Sequence, residues 1–435
     1  MRCFLAATLM LGLTGAAATA ANADTTARAS VGPGGMQAND LSEVRDISAD
    51  GRFVAFSSFA SNLVAGDRNG REDVFLRDLM RDETDLVSVA NGRNQGNDAS
   101  FRPAISADGR FVCFTSYATN LVPGDTNGQA DIFLRDRDRR TTIRVNVATS
   151  GEQANDLTFD CAISADGRYI AFDSIASNLV PGDTNRDYDI FVHDRVEART
   201  RRVNLGPHGI EAEGGYSISP VISANGRWIA FQSSARNLVP DPIGRGANIY
   251  VHDVATGTTL LASRGVDGRA IDVGTSFPAI SADGRYVAFD ANSTNLVRGD
   301  SNDADDVFVF NTKTLRTTRV SVGSHGRQAN GPSGMPRLSS DGRFVAFQSF
   351  ASNLVTNDTN GMTDIFVHDR LTGITKRVSV GVAGNQANDE SAYHFTISPG
   401  GKLIAFTSLA SNLVPGDTNW QEDVFLRRVA IPPRP

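Results

Sequence analysis

The residues best suited to chemistry are acids and amides in the pattern Asp-x-Asn-x-x-x-Asp, which follows Asn-Leu-Val at six places in the 435-residue chain. Each copy offers oxygen donors at alternate positions and a further carboxylate four residues after the Asn. Such oxygens are the ligands that calcium prefers, since that ion takes about six to eight of them. The candidate ligands are Asp67, Asn69, Asp73; Asp125, Asn127, Asp131; Asp183, Asn185, Asp189; Asp300, Asn302, Asp306; Asp358, Asn360, Asp364; and Asp417, Asn419, Asp423.

The same loops have a second interpretation that needs no metal. Asp and Asn side chains bond to their own backbone in Asx-turns, and Gly permits positive φ, so a repeated loop can be capped by its own residues. A related loop from Asp241 to Asn248 lacks the Asn and ends on Asn instead of Asp. If the other loops bind calcium, this one is expected to be empty. Calcium is the one cofactor the sequence suggests, and self-capping remains its alternative.

Side chains for catalysis are few. Three of the six histidines share one position in different copies of a repeat, which indicates an architectural role: His193, His252 and His368. The other three lie in or near loops between copies, without the spacing of a metal site: His208, His325 and His394. A Gly-x-Ser-x-Gly elbow is missing, and the carboxylates follow the repeat instead of breaking it as a glycosidase pair would. We therefore predict no catalytic residue and no enzyme, with a polysaccharide lyase as an alternative.

An internal repeat defines the elements that position these residues. A phrase close to Ile-Ser-Ala-Asp-Gly-Arg-Phe-Val-Ala-Phe begins at seven positions, 58 or 59 residues apart: Ile47, Ile105, Ile163, Ile222, Ile280, Leu338 and Ile397. Each copy reads as four strands. Its Asp-Gly pair predicts a two-residue hairpin, and its second strand is apolar on both faces, as expected when sheets stack face to face. A four-stranded sheet repeated radially is a β-propeller.

The chain also indicates how the ring closes. The last copy ends one strand short, and residues Thr25 to Val31 match the fourth strand of another copy, Thr141 to Val147. We therefore predict an all-β fold over residues 24–435: a seven-bladed β-propeller of four-stranded antiparallel blades. Its ring is closed by the N-terminal strand joining the C-terminal blade.

The cysteines can be assigned in two ways. Cys113 takes the place of Ala55 in a second strand, and Cys161 takes the place of Pro103 before the next Ile-Ser. These positions favour two small buried residues. A disulfide between the neighbouring units stays open, because an exported protein is free to form one.

Charge and the N-terminal segment limit the partners. The formal charge is −7 without a basic stripe, which argues against a nucleic-acid partner. Residues 1–23 contain one Arg, an apolar stretch and then small residues, the layout of a secretory signal peptide. No other apolar run reaches the ~20 residues needed to span a bilayer. We expect a monomer without a membrane span, exported to the periplasm or secreted.

The core Ser-Ala-Asp-Gly-Arg-Phe-Val-Ala-Phe, followed by Asp-Ile-Phe-Val-His-Asp, resembles the repeat of TolB-type propellers. In this WD-repeat-like family of exported bacterial proteins, Ser-Pro-Asp-Gly-Lys precedes an Ile-Ala-Phe strand. The resemblance covers essentially all of the chain after residue 23. It implies a propeller fold and export.

In such a ring, the loops after the second strands and the loops between blades emerge on one side, here named the long-loop face. The tight hairpins and many arginines emerge on the other, the tight-turn face. We predict that the acidic long-loop face binds an envelope or extracellular protein. The alternative is a calcium-supported glycan-binding module, for which Phe59, Tyr117, Phe350 and Trp420 would supply stacking surfaces unless they shield the loop base.

Overall fold

Each repeat folds into one four-stranded antiparallel sheet, giving seven blades. The structure is a computed structural model and describes residues 24–240, 246–271, 273–382 and 384–430. Two single-turn 3-10 helices, Pro33–Gly35 and Pro207–Gly209, lie in loops between blades. The described residues contain no helix whose length and apolar character would let it cross a lipid bilayer. Residues 1–23 lie outside the described residues, so the signal peptide stays a prediction.

In chain order the strands through blade 3 are β1 (Thr25–Arg28), β2 (Ser42–Ile47), β3 (Phe53–Ser58), β4 (Asp73–Asp78), β5 (Glu83–Leu86), β6 (Ser100–Ile105), β7 (Phe111–Ser116), β8 (Asp131–Asp136), β9 (Thr141–Arg144), β10 (Thr158–Ile163), β11 (Tyr169–Ser174), β12 (Asp189–Asp194) and β13 (Arg199–Arg202). The remaining strands are β14 (Ser217–Ile222), β15 (Trp228–Ser233), β16 (Asn248–Asp253), β17 (Thr258–Leu261), β18 (Thr275–Ile280), β19 (Tyr286–Ala291), β20 (Asp306–Asn311), β21 (Arg316–Arg319), β22 (Ser333–Leu338), β23 (Phe344–Ser349), β24 (Asp364–Asp369), β25 (Ile374–Arg377), β26 (Ser391–Ile397), β27 (Leu403–Ser408) and β28 (Asp423–Arg428). Blade 1 is β2–β5, and each following set of four strands forms the next blade up to blade 6. Blade 7 consists of β26–β28 together with β1.

The core lies between blades and not within one of them. On β3, Val54 and Phe56 pack against blade 7, and Phe53 and Ala55 pack against blade 2. All six residues of β3 are buried. This confirms the prediction that apolar side chains on both faces of the second strand reflect sheets stacked face to face.

The hairpin glycines set how closely neighbouring blades approach on the tight-turn face. Gly109 has φ +72, and a Cβ built on it would lie 2.2 Å from Cδ2 of Phe53 in the preceding blade. The Arg52 guanidinium stacks on the Phe53 ring at 4.6 Å and forms a 2.6 Å ion pair with Asp78. The equivalent hairpin arginine also forms an ion pair with an aspartate in blades 2, 3, 4 and 6.

The N-terminal strand closes the ring as predicted. β1 pairs antiparallel with β28, with Thr25 opposite Arg428, so the last sheet has the order β1-β28-β27-β26. Ser30 follows the strand and donates a 2.6 Å hydrogen bond to buried Asp423. The fold prediction is therefore confirmed, including its closure.

A second set of contacts links the blades around the channel on the tight-turn side. The residue after each Ile-Ser donates its backbone N–H to the equivalent carbonyl of the next blade, beginning with Ala49 to Ala107 at 2.9 Å and ending with Ser340 to Pro399 at 2.9 Å. Pro399 has no N–H to continue the series toward Ala49. The junction between blades 7 and 1 therefore lacks this bond, and the two blades are joined by their shared apolar core.

The cysteines form a disulfide between blades 2 and 3, with Cα atoms 6.6 Å apart. The interpretation of two separate small buried residues therefore does not hold. Cys113 lies in the second strand of blade 2 and Cys161 in the innermost strand of blade 3, which pack against each other. Stacking of successive blades brings together two positions 48 residues apart in the chain.

Candidate functional site

The six Asp/Asn/Asp loops have their oxygens turned toward protein donors. In blade 2, the Asn127 side-chain oxygen accepts the backbone N–H of Gln129 at 3.0 Å, and its amide nitrogen donates to Asp131 at 3.1 Å. The Asn oxygen makes the same bond to the second following residue in all six copies. This is the Asx-turn of the self-capping hypothesis.

A guanidinium lies between the two carboxylates of most of these loops. In blade 2, Arg144 Nη1 is 3.0 Å from Asp131 and 3.5 Å from Asp125, and the amide of Gln153 donates to both acids. Five blades share this arrangement, through Arg28, Arg144, Arg202, Arg319 and Arg377. Because a cation already occupies the position between the oxygens, the residues of these five loops do not fit a calcium ion.

Blade 1 differs because Leu86 stands where the arginine would be. Its acids, Asp67 and Asp73, receive bonds from Gln95 at 2.7 and 2.8 Å. Burial raises the pKa of Asp73 to about 6, and repulsion from Asp67 adds to this. Calcium binding stays a prediction, and blade 1 is the loop whose acids lack a guanidinium.

Blade 4 has lost both members of the ion pair. Asn248 replaces the acid and Leu261 replaces the arginine, which is consistent with a pairing role for the two positions. Residues 241–245 of this loop lie outside the described residues.

Blade 3 carries the densest group of acids. Ligand oxygens of Asp183, Asp189 and Glu211 lie within 4.8 Å of one another. Arg202 Nη1 contacts all three, at 3.4, 3.0 and 2.7 Å. Burial opposes ionisation of Glu211, but bonds from Thr184 and the Arg202 guanidinium outweigh it and lower its pKa to about 2. The group is an ion-pair network centred on Arg202.

The repeated histidines have structural partners. In each, Nδ1 lies 2.9 to 3.0 Å from a threonine hydroxyl of the neighbouring outermost strand: His193 with Thr200, His252 with Thr259, and His368 with Thr375. Burial lowers the pKa of all three, that of His368 to about 4. His208 and His325 are exposed in loops between blades, whereas His394 lies inside β26 and lines the central channel.

Large apolar side chains are exposed at one repeated position of the long-loop face. They share one position, the first residue after the second strand of their blade, with exposed fractions of 45, 39, 54 and 40% for Phe59, Tyr117, Phe350 and Leu409. The Tyr117 ring also lies 6.0 Å from that of Phe101. Each of these side chains is therefore partly covered by the protein and partly open to solvent.

Trp420 is the most exposed large apolar residue in the described part of the chain, at 85%. It has φ +58, at a loop position that blades 1, 2 and 6 fill with Gly70, Gly128 and Gly361. A bulky residue in the left-handed region is uncommon and costs about 1 kcal/mol or more. The loop thus carries an indole where glycine would be easier to accommodate.

The central channel contains the second group of candidate residues. Its cavity of 690 Å³ is lined by the innermost strands of all seven blades. At the positions just before Ile-Ser the repeat breaks down, so each blade presents different side chains: Arg45, Arg102, Asp160, Ser219, Phe277, Met335 with Arg337, and Tyr393 with His394. Sequence reasoning missed these residues, although the loss of the repeat at this point was the available signal.

Comparisons with known proteins support the fold and little beyond it. No protein-family model matches the chain, and no curated protein matches it. An oligogalacturonate lyase in complex with manganese matches with a TM-score of 0.56 at 12% identity, over 94% of this chain and 96% of that one. The β-propeller domain of the Trilobed protease from Pyrococcus furiosus matches with a TM-score of 0.53 at 12% identity, over 90% of this chain and 96% of that one.

TolB from Acinetobacter baumannii is also among the structural matches, with a TM-score of 0.41 at 14% identity. The alignment covers 77% of this chain and 62% of TolB. Membership of the TolB-type repeat family is not established by these comparisons.

Proposed function

We propose that this protein is an exported, non-catalytic binding scaffold that holds a protein partner on its long-loop face. The observation that carries the proposal is that large apolar side chains are exposed at one repeat position of the long-loop face in four blades that follow one another around the ring, blades 6, 7, 1 and 2. Exposed apolar surface that recurs in this way marks interaction sites more often than isolated exposed residues do. Propeller loops are also free to vary without disturbing the core.

The repeated acids take a smaller part in this recognition than their number suggests. The last Asp of each loop is fully buried, and in five blades both acids are bound to an arginine. Contact with the partner therefore rests on apolar surface, with Trp420 as a further anchor. Tryptophan and tyrosine are enriched among residues that dominate binding energy.

A non-catalytic role is supported by how the histidines are used, since three are buried against threonines. An enzyme, such as a polysaccharide lyase, remains the alternative because a lyase shares the fold. A glycan-binding module is the other alternative, since exposed aromatic rings also stack on sugars.

The test uses substitutions that the protein's own repeats already tolerate. Phe59→Ser and Phe350→Ser introduce the residue of blade 4 at that position, Ser234. Trp420→Gly introduces the residue of the sister loops. Met80→Ser is the control, because Met80 is 78% exposed but lies in a tight turn on the opposite face.

Residues 24–435 would be immobilised and exposed to an envelope extract, and retained proteins identified and then titrated in purified form. A partner retained by wild type and Met80→Ser, and weakened about ten-fold or more by the other variants, supports the proposal. Binding unaffected by those variants would contradict it. Retention of a glycan on an array, or release of unsaturated sugar ends from a polysaccharide, would favour the two alternatives.

A further inference from the structure

The channel wall brings together cations from blades that are distant in the chain. Arg45, Arg102 and Arg337 line one cavity with His394. Burial lowers the pKa of Arg45 and of Arg337, and repulsion from Arg102 and from Arg45, respectively, adds to this. We propose that this channel binds a small organic carboxylate, with its charged group on Arg337 and Arg45 and its apolar body against Phe277, Met335 and Tyr393. The proposal is independent of the protein partner on the long-loop face.

The arginine at position 337 is not required by the architecture. The equivalent residues of the other blades are Asp46, Ala104, Ala162, Val221, Ala279 and Thr396. The fold therefore accepts several residue types here, and blade 6 is the blade that places a cation at this position. Arg337 lies inside a cavity, where a long charged side chain is unfavourable unless it has a partner.

Two of the three channel arginines have carboxylate partners. Arg45 pairs with Glu43 at 3.3 Å, and Arg102 pairs with Asp160. Among the described residues, Arg337 forms no ion pair, and its guanidinium donates to the backbone carbonyl of Pro336 at 3.0 Å. Arg337 is therefore the channel arginine without a direct carboxylate contact in the described part of the chain, and its guanidinium is available to the carboxylate of a ligand.

The other carboxyls near Arg337 already have partners in the backbone. Asp46 accepts the N–H groups of Ile47 and Ile105 at 2.8 and 2.9 Å. Asp290 accepts the N–H of Met335 at 2.8 Å. These bonds hold both acids against the strands, so neither is directed at the guanidinium as an ion-pair partner.

The surroundings of Arg45 give an independent indication of a missing acceptor. Its Nε is buried without a hydrogen-bond partner. Burial and the three arginines together lower the pKa of His394 to about 3, so the imidazole is neutral at pH 7. A carboxylate oxygen placed here would accept from Arg45 and offset the repulsion between cations.

Blades 5 to 7 supply the apolar side of the same cavity. Phe277, Met335 and Tyr393 have φ values of 51, 54 and 62, a conformation that bulky residues rarely adopt. The backbone N–H groups of Met335 and Tyr393 donate to Asp290 and Gln348 of the preceding blade, which holds this conformation in place. Phe277 and Tyr393 remain 42 and 56% exposed, which leaves ring surface free for a ligand.

The experiment is calorimetric titration of residues 24–435 at pH 7 and low salt. The probes are benzoate and octanoate, with benzyl alcohol and octanol as uncharged counterparts and inorganic phosphate as a non-carboxylate anion. Arg337→Ala is the test variant, since alanine is the residue of three sister blades. Arg201→Gln is the control, because Arg201 is exposed on an outermost strand. Circular dichroism verifies that each variant folds.

We expect at least one carboxylate to bind wild type and Arg201→Gln, and to bind Arg337→Ala at least about ten-fold more weakly. The alcohols are expected not to bind. Failure of both carboxylates, equal affinity in Arg337→Ala, or tighter binding of phosphate would each overturn the proposal. Tyr393→Ser is expected to weaken binding without changing its salt dependence, whereas an unchanged affinity would refute the assignment of the apolar side.

Discussion

Adding a single methyl group to one hairpin glycine tests how the blades are spaced. In Gly109→Ala, the new Cβ would lie 2.2 Å from Phe53 Cδ2 and 2.7 Å from Cε2. Normal carbon contacts are about 3.5–4.0 Å. The Phe53 ring cannot easily retreat, because it is buried and the guanidiniums of Arg52 and Arg137 lie 4.6 and 4.4 Å from its centre.

Gly51→Ala is the matched control, since Gly51 has the same φ of +72. Blade 7 presents Leu403 in place of the aromatic ring, and the new Cβ would lie 3.5 Å from it. Both variants bear the left-handed strain of about 1–2 kcal/mol. Gly109→Ala alone adds an overpacking cost of about 1–3 kcal/mol. The difference between the variants isolates the contact between blades.

Equilibrium urea unfolding followed by circular dichroism would measure both free energies of unfolding. We expect Gly109→Ala to lose about 1–3 kcal/mol more than Gly51→Ala. Adding Phe53→Leu, which copies blade 7, is expected to recover part of that excess in a double-mutant cycle. Equal losses in the two glycine variants, or no coupling with Phe53→Leu, would refute the packing argument.

Three other predictions concern stability. Replacing Cys113 and Cys161 by Ala, which opens a loop of 48 residues, is expected to cost about 4 kcal/mol. An unchanged urea midpoint would contradict this. Burial raises the pKa of Asp290 to about 7, above the value in the unfolded chain. The protonated carboxyl therefore stabilises the folded state fully below about pH 4, and this contribution is lost as the pH rises through 7. We expect Asp290→Gln to reduce the fall in melting temperature between pH 5 and 8, and a parallel pH profile would refute this. Chelator is expected to leave the melting temperature unchanged. If added calcium instead raises the melting temperature, Leu86→Arg should abolish the rise, because the new guanidinium would lie between Asp67 and Asp73. An equal rise in that variant would exclude the blade 1 loop as the calcium site.

The fold was predictable because its determinants are local and repeated. Asp-Gly hairpins and two-sided apolar strands recur at a period of 58 or 59 residues, which leaves few architectures other than a radial stack. The match between Thr25–Val31 and an outermost strand also predicted closure, since β1 fills the place left open in blade 7.

The site was harder to predict because a pattern of donors does not reveal which atoms face each other. The Asp/Asn loops have a calcium-like spacing, yet the Asn amide nitrogen, not its oxygen, is turned toward the carboxylate. A signal was present: Arg144 follows Asp131 by 13 residues, and three other loops repeat that interval. The arginine lies on the strand next to that of the aspartate in the same sheet.

Contacts across the channel and between blades could not be read from a single repeat. Cys113 and Cys161 occupy different positions of the unit and meet because a second strand packs on the innermost strand of the next blade. Arg337 and Arg45 approach each other through ring closure, after almost 300 residues of intervening chain. Such pairs follow from the geometry of the ring.

The first and last described residues are in contact, so the folded ring does not by itself require the chain to begin and end in blade 7. Ala430 donates its N–H to the Asp24 side chain at 2.6 Å, so a short linker would join these ends within one sheet. A circular permutant opened in the turn between the third and outermost strands of another blade would keep every sheet and every interface. In each permutant, a different blade would be built from strands of both chain ends. Comparing the folding rates of the permutants would show whether the seven blades assemble in a preferred order or from any starting blade.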